Sequence, residues 1–235
     1  MFAARGQGAV PARARQLIVA VSDTWNSTTG RLVYYDRVGK AWKPRIVKPI
    51  PVLFGRKGLA WGRGVLAHPP GSSAPVKKER DGRTPAGCFA IGGIYGYASS
   101  LPPGAKFPYR QVSKWDAWSD DPKSPLYNRH VVVDPKRGVP PWFQKARMRL
   151  GDFAYEWKIE IRHNSDPPVP GDGSAIFFHI RRGPDRPTAG CTTMAKPQLI
   201  AMIQWLRSEA APHFVVLPKA EYGKLQRSWK LPPSP

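Results

Sequence analysis

Residues 176 to 194, IFFHIRRGPDRPTAGCTTM, leave the chain few ways to fold. Ala175 to Ile180 is an apolar run with two aromatics, the pattern of a short buried strand carrying His179 near its end. Residues 180 to 190 contain Gly183, Pro184, Pro187 and Gly190, so the chain turns instead of continuing and comes back beside the strand it left. His179 and Cys191 are therefore expected to be neighbours in space.

A thiol is a weak nucleophile at its free pKa of about 8.5, and an adjacent imidazole can take its proton and later return it to a leaving amine. Gly190 removes a side chain just before the thiol, so the amides of Gly190 and Cys191 are candidates to face an oxyanion. This is an acyl-transfer constellation. The competing reading is structural, since a buried cysteine is often an inert small hydrophobe and a strand-end histidine often a satisfied core residue.

A second block lies upstream. KKERDGRTPAGCFAI, residues 77 to 91, carries Asp81, Arg83, Thr84, Pro85, Gly87 and Phe89 on a loop running into a strand. With His179, Thr188, Gly190 and Cys191 following in the same order and at a similar distance, the chain resembles the L,D-transpeptidase catalytic-domain (YkuD) family, in a divergent, proteobacterial-looking branch. The resemblance implies a mainly β fold, a sandwich or partly closed barrel with one or two helices. It also implies Cys191 as nucleophile, His179 as base, an oxyanion site at Gly190 and Cys191, and no cofactor or metal. The implied substrate is the peptidoglycan stem peptide, and the implied location is the periplasm or cell envelope. The chain departs from the commonest motif, in which Ser-His-Gly-Cys is followed two residues on by Arg or Asn. Here the run is Thr188, Ala189, Gly190, Cys191, Thr192, Thr193. That leaves carboxypeptidase-type hydrolysis, or acyl transfer on another envelope polymer, as open alternatives to cross-linking.

The net charge is +21, with 37 Lys and Arg against 16 Asp and Glu, which points to a polyanionic partner. The basic residues are scattered, with no zinc-finger spacing, no RNP-like strand and no uninterrupted basic helix. A peptidoglycan or other anionic envelope polymer is therefore the expected partner and nucleic acid is not; a non-enzymatic basic wall- or nucleic-acid-binding module is the third alternative. Two cysteines, Cys88 and Cys191, leave a disulfide open. His68, His130, His163 and His213 lack metal-ligand spacing.

One domain is expected over residues 16–218, between a disordered basic segment, 1–15, and a mobile basic Pro-containing tail, 219–235. The apolar run Leu17–Val21 is shorter than the roughly 7–15 residues of a signal core, and no run approaches the roughly 20 of a membrane span. Short strands are expected over QLIVAVS, GRLVYYDR and AWKPRIVK, with HFVVLP last, and Phe153–Asn164 as a further strand bearing His163. Pro197 suits a helix start, Leu199, Ile200, Ile203 and Leu206 share a helical face, and Pro212 ends it. Weaker substrate-binding candidates are Thr188, Arg181, Arg182 and Arg186 in the loop between His179 and Cys191, and Asp120, Asp121, Ser124, Tyr127 and Asn128 in the Gly-, Pro- and aromatic-rich middle segment.

Overall fold

The computed structural model describes residues 8–235. Thirteen strands and three helices follow in chain order: β1 (Gln16–Ser22), β2 (Thr29–Val38), β3 (Ala41–Pro44), β4 (Ile50–Leu53), β5 (Leu59–Trp61), β6 (Thr84–Gly96), β7 (Tyr109–Gln111), β8 (Asp116–Trp118), β9 (His130–Val132), α1 (Phe143–Ala146), β10 (Lys158–Ile161), β11 (Phe177–Ile180), β12 (Thr192–Met194), α2 (Lys196–Trp205), β13 (His213–Pro218) and α3 (Lys219–Leu225). The main sheet runs β1-β13-β6-β10-β11-β12-β4-β2, and β2 pairs with β1 again, closing an eight-stranded barrel-like sheet. β3, β5 and β7 are appended to it, while β8 and β9 form a separate ribbon. The expected mainly β class is the one observed.

Alternation along the strands explains the layering. Ile159 and Ile161 of β10 and Phe178 and Ile180 of β11 point into the main core, where they meet Met194, Phe214 and Phe89. A strand sends successive side chains to opposite faces. The intervening Lys158, Glu160, Phe177 and His179 therefore lie on the outer face, and Phe177 there joins a second apolar cluster with Val112, Trp118 and Met148. That outer face is the floor of the candidate site.

Several expectations are corrected. Residues 219–235 are not a mobile tail: α3 is followed by Trp229 and Leu231, both buried in the main core. The Tyr222 hydroxyl donates to Pro232 O at 2.8 Å, and Trp42 Nε1 donates to Lys230 O at 3.0 Å. The apolar residues spaced through an otherwise basic segment are what bury it. Of the segment expected to be disordered, residues 1–7 lie outside the described residues, whereas Val10 and Ala14 are buried and Val10 N–H donates to Trp229 O. Residues 153–164 are not one strand: Phe153–Tyr155 is a single 3-10 turn capped by the Asp152 carboxylate, and β10 is only the four residues after Trp157. Helix α2 stops at Trp205, before Pro212, and buries Leu199, Met202 and Ile203, with Ile200 at the edge. Cys88 and Cys191 are both free thiols, the first in the main core and the second beside the outer cluster. Among the described residues no helix is long and apolar enough to cross a membrane.

Candidate active site

β11 and β12 are parallel and adjacent, with Phe178 opposite Thr192 and His179 opposite Thr193. One step back in that register puts Cys191 level with Phe177, two residues before His179 and on the same outer face. The topology thus brings together the two residues that the loop spacing paired. The loop between them is held against the first motif. Thr188 N–H donates to Phe54 O, Arg56 N–H donates to Thr188 O, and Gly55 N–H donates to the Thr84 hydroxyl. A Cβ on Gly190, whose φ is +156°, would lie 3.0 Å from Arg83 O and 3.2 Å from Ile176 Cδ1. Glycine is what lets the Cys191 loop approach this closely.

Around Cys191 the groups are specific. Its Sγ lies 3.7 Å from Ala175 O, a sulfur-length hydrogen bond. Burial pushes the thiol up, opposed by the Phe177 amide and by the charges of Lys158 and Arg182. His179 is 2% exposed, and its Nδ1 lies 2.9 Å from Ile180 O. A carbonyl only accepts, so Nδ1 carries the proton and Nε2 is left as the basic nitrogen. Burial holds this imidazole down to about 4, opposed by the Ile180 contact and reinforced by Arg182 and Lys158. The resting pair at neutral pH is a thiol and a neutral imidazole.

The two amides expected to face an oxyanion differ in their surroundings. Gly190 N–H donates to the Thr188 hydroxyl at 3.0 Å, and that hydroxyl donates to Cys191 O at 2.7 Å. Thr188 therefore closes the turn before Cys191, and its hydroxyl is committed there. The Thr84 hydroxyl supports the same carbonyl at 3.3 Å. Among the described residues the Cys191 amide has no acceptor.

The weaker candidates separate. Arg182 binds the Asp152 carboxylate through Nε at 2.8 Å and Nη2 at 2.5 Å, with its guanidinium 4.9 Å from the Tyr155 ring centroid. Tyr155 in turn meets the His179 ring edge-on at 5.0 Å. Arg182 is thus a brace behind His179 more than a free carboxylate clamp. Arg181 and Arg186 are half-buried and exposed respectively, and only the Arg181 backbone is engaged, its N–H donating to Met194 O. Tyr127 is buried, and its hydroxyl donates to Glu79; it is architecture and does not line the cleft. Asn128 is also buried, and its amide spans four partners: it donates to His163 O and Asn164 O, and accepts from Trp118 Nε1 and Ala175 N. Asp121 caps its own turn by accepting from Lys123 N–H, whereas Asp120 lines the cleft and pairs with Arg80 at 3.5 Å. The Ser124 hydroxyl accepts from Leu126 N–H in the same turn.

His163 is tied through both ring nitrogens. Its Nδ1 accepts from Arg63 N–H at 3.2 Å, its Nε2 lies 2.9 Å from Asp172 O, and burial holds it down to about 3. His68 is exposed and stacked on Trp61. Asp81 and Arg83 do not pair through their side chains: the Asp81 carboxylate takes Lys77 Nζ and two backbone amides, and the Arg83 guanidinium reaches Trp25 O, Leu59 O and Asn26.

A cleft of about 180 Å³ opens on Cys191, lined also by Trp118, Tyr155, Lys158, Ala175 and Phe177. Its rim carries Lys145 and Arg147, both exposed and without an acidic partner among the described residues. Tyr155 and Lys158 were missed in sequence. A signal existed for the lysine, because Lys-Ile-Glu-Ile alternates and so turns Lys158 to the face opposite the core. The described residues bring together no group of three or more His, Cys, Asp or Glu able to hold a metal ion.

No curated protein matches the chain. A family model does, that of the YkuD L,D-transpeptidase catalytic domain, which covers residues 23–216 and so takes in both motifs, the barrel-like sheet from β2 through most of β13, and the Cys191 cleft. The chain belongs to the L,D-transpeptidase catalytic-domain family.

Proposed function

We propose that the protein is a cysteine acyltransferase acting on peptidoglycan stem peptides, with Cys191 as nucleophile and His179 as base. The observation that carries this reading is the placement of Cys191 in an open cleft, two positions along the same face from a histidine whose Nδ1 is tied to a carbonyl and whose Nε2 is left basic. In the proposed first step the Cys191 Sγ proton passes to His179 Nε2 and the sulfur forms a bond to the substrate carbonyl carbon. The carbonyl electron pair moves to oxygen, which faces the Cys191 amide. Collapse of that intermediate breaks the carbon–nitrogen bond, and the departing amine, D-alanine for a tetrapeptide stem, takes the proton from His179. An amine of a second stem then attacks the thioester to give a cross-link, or water does so to give a shortened stem.

The basic rim suits a substrate bearing carboxylates, since Lys145 and Arg147 stand over the cleft while its one acidic side chain, Asp120, is paired with Arg80. An envelope location goes with such a substrate. Incubating the protein with disaccharide-tetrapeptide and separating the products tests the reading. Release of D-alanine, together with dimer or tripeptide, from wild type but not from Cys191→Ala is expected. Turnover that survives in Cys191→Ala, or intact tetrapeptide beside conversion of a different envelope polymer, would overturn it.

A further inference from the structure

Lys158 is 5% exposed, yet among the described residues no carboxylate pairs with it. Its ammonium lies 3.4 Å from Met148 O, 4.9 Å from the Tyr155 ring centroid and 5.2 Å from that of Phe177. A buried charge without a counter-ion is costly to keep, and a methionine or leucine would fill such a place at lower cost. The position explains its presence. Lys158 faces His179 directly across the antiparallel β10–β11 pair, where side chains opposite one another have Cβ atoms about 5 Å apart, and it lines the same cleft as Cys191.

We infer that the Lys158 ammonium is the counter-charge of the Cys191 thiolate, acting as a positioning cation for the nucleophile and for the negative charge that develops on the substrate carbonyl. This rests on Cys191 being the nucleophile. Cys191 lines the same cleft and becomes an anion on giving its proton to His179, so the cation gains a partner in the reactive state. By the same charge Lys158 disfavours the imidazolium of His179, which promotes delivery of the proton to the leaving amine. Burial holds the lysine down to about 8, opposed by Cys191 and Asp116.

The other charged and titratable groups around this pair have partners of their own. Asp152 and Arg182 neutralise each other beside Tyr155, Asp116 is bound by Arg110 and His130, and Lys77 is bound by Asp81. Tyr95, opposite Lys158 on β6, is held in its neutral form by burial. On the rim, Lys145 and Arg147 are exposed to solvent, and Asp120 faces Arg80.

The test is the pH dependence of iodoacetamide alkylation at Cys191, with Cys191→Ala giving the background from the buried Cys88. An opposite charge at close range lowers a pKa by about 1–3 units, so Lys158→Met is expected to raise the alkylation midpoint by about one pH unit or more and to slow the reaction at least about tenfold near neutrality. Lys158→Gln, which keeps a donor for Met148 O but not the charge, is expected to shift it equally, and Lys158→Arg to keep it. Thermal melts of Lys158→Met should show no loss of stability, because an unpaired buried charge has been removed. A wild-type Cys191 that alkylates normally, with the same midpoint in both neutral variants, would overturn the inference alone. A wild-type profile that never rises above the Cys191→Ala background would overturn the nucleophile reading and this inference with it.

Discussion

Asn128 offers a quantitative test of how the cleft is held. Its side chain is buried and makes all four hydrogen bonds of which an amide is readily capable, at 2.7–3.0 Å. Asn128→Ala leaves the Trp118 indole N–H and the Ala175 amide as donors without acceptors, each costing about 1–3 kcal/mol. The residue also sits at φ +54°, where any side chain with an ordinary Cβ adds about 1 kcal/mol of strain that asparagine tolerates better. Together the substitution should cost roughly 3–7 kcal/mol, a fall in Tm of roughly 10–20 °C for a chain of this size. Asn128→Gly should recover about 1 kcal/mol of that, since it removes the strain but restores no hydrogen bond. Turnover should fall as well, because Trp118 lines the cleft and the Ala175 carbonyl is the contact of the Cys191 thiol. Calorimetry gives the first quantity and product formation the second. An alanine variant melting within about 2 °C of wild type would refute the clamp, since even one orphaned buried donor costs more.

Replacing Arg182 with Ala frees Tyr155 behind His179 and removes a charge that favours the thiolate. It is expected to lower kcat about tenfold or more and leave KM within about twofold; a raised KM at unchanged kcat would return Arg182 to substrate binding. Folding stability is expected to decline as pH falls from about 6.5 toward 4, because unfolded His163 and His179 take up protons in that window while the folded residues, held to about 3 and about 4, do not. Urea midpoints measured across the window check this, and a flat profile contradicts it. Asp116 behaves differently. Burial raises its carboxyl, but hydrogen bonds from Ser113, Arg110 and His130 outweigh that and hold it down to about 2, so its contribution persists until the pH falls below about 4 and is lost toward 2.

The short strands and the meeting of His179 with Cys191 were legible because they depend on local signals: alternation, Gly and Pro punctuation, and a loop too short to carry the chain away. What was misread depends on contacts distant in sequence. Tyr127 and Asn128 look like cleft residues in a loop-rich polar segment, and only the return of residues 163–175 beneath them makes them buried struts. The last seventeen residues look like a solvated basic tail, but Trp229 and Leu231 find the core beside β1 and α3. Lys158 was overlooked because a lysine on a mixed strand is ordinarily exposed. Its burial follows from the packing of Phe177, Tyr155 and Met148 over it.

The central claim is that Cys191 forms a thioester with the stem peptide. Intact-protein and peptide mass spectrometry of the protein quenched during turnover of disaccharide-tetrapeptide measures it directly. The account predicts an acyl adduct on the peptide containing Cys191, at the mass of the substrate less D-alanine, absent from Cys191→Ala. Efficient turnover with an unmodified Cys191 at every quench time, or an adduct on Cys88 instead, would contradict it.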